Sequence, residues 1–284
     1  MAVDAMSVDG DEAVRLTDLM SKPARGKLWP AVWPKVLAVA LFITAWQVLV
    51  WTKWKPEYIV PSPFTVLHAF TDDGHHLWNA VVVTMRRAAV GFGVSILIGA
   101  VVGLAVARVP VLRAAIGSMI TGLQTMPSVA WVPLGIVLFQ LSERAILFVV
   151  ILGAAPSIAN GIIEGIDNVP PILMRAGRVL GARGWTALRY VVIPAALPSV
   201  VGGLKQGWAF AWRSLMAGEL ITVFPGHIGI GAALNGAYQN SDFVGVYEAM
   251  IVIFVLGVVI DALLFGTILR VIRKRYGLID AAAS

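Results

Sequence analysis

Cysteine is absent from the 284 residues. That excludes disulfides, thiolate metal sites and a cysteine nucleophile. Histidine is scarce: His68, His75, His76 and His227 are the full set. A metal site is one reading of them and solvated loop residues the other; the adjacency of His75 and His76 gives poor ligand geometry. No GxxxxGK segment followed by Ser or Thr is present, so the chain does not hold ATP in that way. Serine, histidine and aspartate occur in no nucleophile motif. Charge is thin as well, at 13% of residues, where soluble domains carry about a quarter. The segment Met1–Lys27 lacks the apolar core of a signal peptide and carries Asp4, Asp9, Asp11, Glu12 and Asp18.

What the chain has in excess is apolar surface. Hydrophobic residues make up 58%, and mean hydropathy is +0.83. The class is an all-α polytopic membrane protein. About six stretches approach the roughly 20 apolar residues needed to cross a bilayer. They run 33–51, 80–107, 114–139, 145–163, 195–224 and 244–271. Residues 1–30 read as a cytoplasmic tail, 31–275 as one transmembrane domain and 276–284 as a second cytoplasmic tail. In a soluble chain the net charge of +6 would raise nucleic-acid binding. Here the basic residues sort by membrane side, and no nucleic acid is expected. With the N-terminus inside, 15 of the 22 Lys and Arg lie inside: Arg15, Lys22, Arg25, Lys27, Lys35, Arg108, Arg113, Arg175, Arg178, Arg183, Arg189, Arg270, Arg273, Lys274 and Arg275. The positive-inside rule then puts both termini in the cytoplasm. Between the first two spans, Ser62 and Pro63 open a short external helix whose Phe64, Leu67 and Phe70 form an apolar face.

The basic insert 164–190 is built to fold. Asn168 is a cap for a helix opened by Pro170 and Pro171. Ile172, Leu173, Ala176, Val179 and Leu180 share one face, with Arg175 and Arg178 on another. Gly181 is the natural stop. Trp185, Leu188 and Val192 begin a second short helix, which Pro194 and Pro198 break before the next span.

Polar residues within the spans are the other candidates. Arg87 and Glu219 have opposite sign and comparable estimated depth. They read as a buried ion pair that fixes packing, or as substrate contacts. Lys205 and Arg213 lie two turns apart with Trp212 and Met216 nearby. They give a translocation path a positive field, or else Lys205 snorkels and Arg213 pairs with an acid. Gln124, Met126, Ser128 and Trp131 surround Pro127, ahead of Pro133; this kinked segment is a path wall or a packing kink. Gly91, Gly93, Gly99 and Gly103 read as close-packing positions.

The frame Arg175-Ala176-Gly177, then Gly181 with Ala182 and Trp185 following, then Val191, Ile193 and Pro194, resembles the EAA loop of bacterial ABC importer permeases. That loop reads Glu-Ala-Ala, three residues, Gly, nine residues, Ile, one residue, Leu-Pro. Gly181 and Pro194 match at the expected spacing; Arg175 and Gly177 depart, so a contact made through the family's glutamate does not carry over. The run LGARGWTALRYVVIPAALPSVVGGLKQGWAFAWRSLMAGEL is similar to the branch importing nitrate, sulfonates, taurine, bicarbonate and certain heteroaromatic precursors. The resemblance covers about Pro61 to Gly277. It implies a type I importer permease (MetI-like) fold and a homodimer in the bacterial inner membrane with the path at its interface. It also implies two cytoplasmic ATPase subunits docked on 164–190, an external solute-binding protein and a lipid surround. No cofactor falls to this chain; ATP and magnesium belong to the ATPase. Lys205 and Arg213 lean towards an anion, an organosulfonate first. An ion-coupled secondary transporter would show central acids, and an integral membrane enzyme a His, Asp or Glu cluster; neither pattern is evident.

Overall fold

The computed structural model describes residues 28–72, 74–222 and 228–275, and all regular structure among them is helical. Both predicted tails, apart from residues 28–30, lie outside this range, as does His227, and so does the side chain of His75. The chain divides into two compact units, 1–57 and 58–284. The first contains α1 (Leu28–Trp51), whose stretch Val32–Trp51 is long and apolar enough to cross a membrane. Thr44 shows how a hydroxyl is satisfied within this helix: its Oγ1 donates to the Ala40 carbonyl at 2.7 Å.

The second unit opens with α2 (Pro63–Asp72). Ser62 Oγ accepts the Thr65 N–H at 3.1 Å. The expected start is thus met by an N-cap followed by proline. Val66 is the buried residue here, while Phe64 and Leu67 stay exposed. Then follow α3 (Gly74–Arg108), α4 (Pro110–Thr125), a 3-10 turn (Ser128–Trp131), α5 (Val132–Phe139) and α6 (Glu143–Asp167). The short α7 (Pro171–Val179) leads to α8 (Trp185–Ile221), which contains a π turn at Leu188–Val192. After α9 (Ile230–Gln239), α10 (Phe243–Ile260) passes through a second π turn (Asp261–Phe265) into α11 (Gly266–Arg275).

Helix α6 is the axis of this unit. Lipid tails are as apolar as leucine, so helices in a membrane are held by close packing at small residues. Gly91, Gly99 and Gly103 of α3 lie against Val150, Ala155 and Ala159 of α6, numbers rising together, so the two run parallel. Gly93, expected to share this role, faces open space. On the other flank Gly161 lies on Gly203 and Gly165 on Ala196, so α6 and α8 run antiparallel. Ala88, Phe92, Ile146, Val150, Ile158, Trp208 and Leu215 fill the core between the three helices.

Three expectations are corrected. Asn168 does not cap α7; it closes α6, its N–H donating to the carbonyls of Glu164 and Ile166, and Pro170 precedes α7 without a side-chain cap. Pro194 and Pro198 do not break the chain before the next span. Proline clashes with the carbonyl four residues back. The wider π turn ending at Val192 gives Pro194 room, so Trp185–Ile221 continues as one helix. The stretch 114–139 is not one continuous kinked helix but two helices separated by a break. Met126 precedes Pro127 and takes an extended backbone conformation, because the proline ring disfavours the helical one at the residue before it. The helices on either side diverge by 109°. The broken pair still passes from one end of α6 to the other. It starts where Arg113 meets Asp167 at 2.8 Å, and it ends where the Phe139 ring packs on Phe148 at 5.4 Å.

Candidate functional site

At the Glu143 end of α6, three helices meet over one buried carboxylate. Arg87 of α3 and Glu219 of α8 have side chains 1% and 0% exposed, and Arg87 Nη1 donates to Glu219 Oε1 at 2.8 Å. Thr84, one turn before Arg87, donates to both Glu219 oxygens at 3.1 and 2.9 Å. Thr84 Oγ1 in turn accepts the Ile230 N–H at 2.8 Å, and the Gly231 N–H reaches Glu219 Oε2 at 3.1 Å. The carboxylate therefore sits at the N-terminus of α9, where backbone donors and the helix dipole favour negative charge. A Cβ at Gly229 or Gly231 would collide with the Glu219 side chain. Glu143 extends the cluster, 2.8 Å from Arg86 Nη2 and 3.5 Å from Arg87 Nε. A cavity of about 420 Å³ opens at the same end, with His76, Asn79, Asp242 and Glu248 in its wall.

At the opposite end lies the basic insert. Gly181 has a positive φ, the left-handed conformation that closes α7. The Ala182 N–H donates back to the Gly177 carbonyl at 2.8 Å. Gly177 is buried, and a Cβ there would come 2.9 Å from Val191 Cγ2, so α7 rests on the π turn of α8 through this glycine. Ala176 is exposed, as are Arg175, Arg178 and Trp185. Val179 and Leu180 are 87% and 86% exposed. The apolar stripe foreseen in α7 thus points away from its own unit. Pro194 follows the π turn in α8.

The path candidates separate. Gln124, Met126, Ser128 and Trp131 all flank the break in the third span, and Trp131 packs on the Val132–Val149–Ala217 cluster. Lys205 Nζ meets Asp261 Oδ2 of the second π turn at 3.1 Å, with side chains 44% and 41% exposed. Trp212 stacks on Trp208 at 6.0 Å. Met216 does not share the exposed face of α8; it is buried in the core with Ile146 and Val150, because its side chain turns towards α6. Arg213 is exposed, its Nε donating to the Ala209 carbonyl at 3.1 Å and its guanidinium carbon 4.9 Å from the Phe210 ring centre.

Residues 95–276 match the model of the family described as binding-protein-dependent transport system inner membrane component. The chain belongs to this family. It is similar to the bicarbonate transport system permease protein CmpB of Synechococcus elongatus, 31% identical over 199 residues, 69% of this chain and 71% of the relative. It is also similar to the taurine transport system permease protein TauC of Escherichia coli, 26% identical over 249 residues, 83% of this chain and 90% of the relative. In fold it resembles a chain of the MetNI methionine ABC transporter in an inward-facing conformation. The TM-score is 0.59 at 19% identity, covering 69% of this chain and 95% of that one. This is an ABC importer permease, which moves a small solute in conjunction with a separate ATPase.

In the permease the loop residues of 171–194 and the Arg87–Glu219 pair come together as two sites at opposite ends of α6. Thr84, Arg86, Glu143, Gly229 and Gly231 belong to the second and were not singled out from the sequence. Two features carried a faint signal: a threonine three residues before an intramembrane arginine, and a Gly-x-Gly just after the span holding Glu219. Asp261 as the partner of Lys205 was also missed, since nothing in composition marks a π turn.

Proposed function

We propose that this permease works as a homodimer with both termini in the cytoplasm, docks its ATPase on 164–190, and imports a small anionic solute handed over by an external binding protein at the Glu143 end. The single observation that carries the docking assignment is the unpartnered apolar stripe of α7, with Leu180 and Val179 almost wholly exposed. Such a stripe, flanked by Arg175 and Arg178, fits a groove with an apolar floor and an acidic rim. Gly177 seats α7 on a helix that runs unbroken from Trp185 to Ile221, so a push on α7 is passed along α8 as a rigid lever. The anionic solute draws support from the exposed cation Arg213. An arginine facing lipid at mid-span costs about 2.5–3.5 kcal/mol on insertion scales, which favours a watery path on that side of α8.

The test is solute-stimulated ATP hydrolysis in the reconstituted complex. Leu180→Asp buries a charge in the dock, and Gly181→Asp strains the left-handed turn. Both variants insert normally yet lose coupling. Wild-type coupling in both would remove 164–190 from the ATPase contact.

A further inference from the structure

We propose that Arg213 is the group that binds the charged end of the solute, that the solute is a small oxyanion, and that Lys205 takes no part in binding it. This rests on the reading of the permease as an importer of anions through a path beside α8. Arg86, Arg87 and Lys205, other cations set inside the spans and away from the basic-insert end, meet carboxylates: Glu143, Glu143 with Glu219, and Asp261. Among the described residues Arg213 meets none. The Lys205–Asp261 pair is already neutral, so at mid-span the positive field on the exposed side of α8 comes from Arg213.

The depth of Arg213 excludes the usual alternative. Its neighbour Ser214 lies against Gly153 in the middle of α6. That is about 15 Å from one end of α6 and about 21 Å from the other at 1.5 Å per residue. A side chain so placed does not snorkel to a headgroup. Nor is it stretched towards one, because its Nε is tied back to the Ala209 carbonyl and Phe210 lies under its plane. Both contacts fix the guanidinium, and the terminal nitrogens are left for a ligand. Their planar fork matches two oxygens of a carboxylate, nitrate, bicarbonate or sulfonate. One turn further along α8, Ala217 packs on Val132 and Trp131, so Arg213 stands beside the break in the third span. At that break Met126 takes an extended conformation ahead of Pro127, and backbone that leaves the helix at membrane depth is tolerated where it lines a watery cavity.

The permease, its ATPase and its binding protein are reconstituted in proteoliposomes, and uptake of nitrate, bicarbonate and taurine is measured separately. Wild type accumulates at least one. For that solute Arg213→Gln lowers the initial rate about tenfold or more, with yield, dimer mass and melting temperature unchanged. Arg213→Lys recovers part of the rate, keeping the charge and losing the fork. Removing the neutral pair together, Lys205→Met with Asp261→Leu, leaves the rate within about twofold, as expected of a self-compensated pair. If wild type moves an oxyanion and Arg213→Gln does so equally well, Arg213 is not the binding group although the anion reading stands. If the double variant loses uptake as Arg213→Gln does, the exclusion of Lys205 is wrong. If wild type accumulates none of the three, the anion reading falls and the proposal with it. If Arg213→Gln splits the dimer or melts early, Arg213 is a contact to the second copy and the assignment is wrong.

Discussion

Glu219 carries a full charge into the interior of the second unit and is met by a guanidinium, a hydroxyl and a backbone N–H. Burying two charges costs several kcal/mol per ion, so such a pair is weak evidence of net stability. Breaking it is another matter. Arg87→Ala and Glu219→Ala each strand a partner, and each is expected to cost about 3–5 kcal/mol, read as a lower melting temperature of the purified complex. The double alanine variant should be less destabilised than the two singles added together. Exchanging the charges, Arg87→Glu with Glu219→Arg, should not restore stability. Position 219 is walled by Gly229 and Gly231, and the Gly231 N–H and the α9 dipole favour an anion there. Full recovery in the swap would show that the two charges matter only to each other. The pair itself was legible in the sequence, because two ionisable residues of opposite sign inside apolar runs at similar depth have few other ways to be satisfied. The third and fourth partners were not. A threonine and a backbone amide are silent in composition until the topology brings together groups as far as 146 positions apart.

Helices α3, α6 and α8 pack as closely as they do because α6 meets glycine or alanine on both flanks. The closest approach is Gly161 on Gly203, where a Cβ on either would stand 2.5 or 2.6 Å from the other's Cα. Backbone cannot move aside as a side-chain tip can, so the helices must separate. Gly203→Ala should therefore destabilise by about 1–3 kcal/mol, the usual cost of overpacking. Gly202→Ala, one residue away and facing open space, should be neutral or stabilising by up to about 1 kcal/mol, since alanine is the better helix former. Thermal unfolding of the two variants side by side checks this. Equal effects would mean that glycine acts at 203 through chain flexibility and not through contact. At this scale hydrophobic length gave the spans, and proline gave the break at Pro127. Proline misled at Pro194, because a π turn can absorb a ring that an α turn cannot, and no residue pattern announces which of the two the chain will adopt. Asn168 misled for a similar reason: a residue suited to start one helix here ends the one before it, through its backbone N–H.

Taken whole, the second unit has two chemically different ends. One holds Arg113, Asp167 and the basic insert with Arg175, Arg178, Arg183 and Arg189; the other holds Arg86, Glu143 and the Glu219 cluster. The excess of uncompensated positive charge lies at the first end, and by the positive-inside rule the proposed orientation puts that end in the cytoplasm. Every helix boundary then acquires a side. A reporter active only outside the cytoplasm should be silent after Arg183 and Arg275 and active after Asn240. The broken third span makes the decisive position Ser142. The chain between Pro110 and Phe139 travels from the Asp167 end of α6 to its Glu143 end, so it counts as a crossing in spite of its 109° bend, and a fusion after Ser142 should be active. Were 110–139 instead a loop that dips in and returns, Ser142 would be cytoplasmic, and α6, which runs parallel to α3, could not share its sidedness. A silent reporter after Ser142 in a well-expressed fusion would overturn the six-span reading. It would also separate the two ends of α6 from the membrane faces assigned to them here.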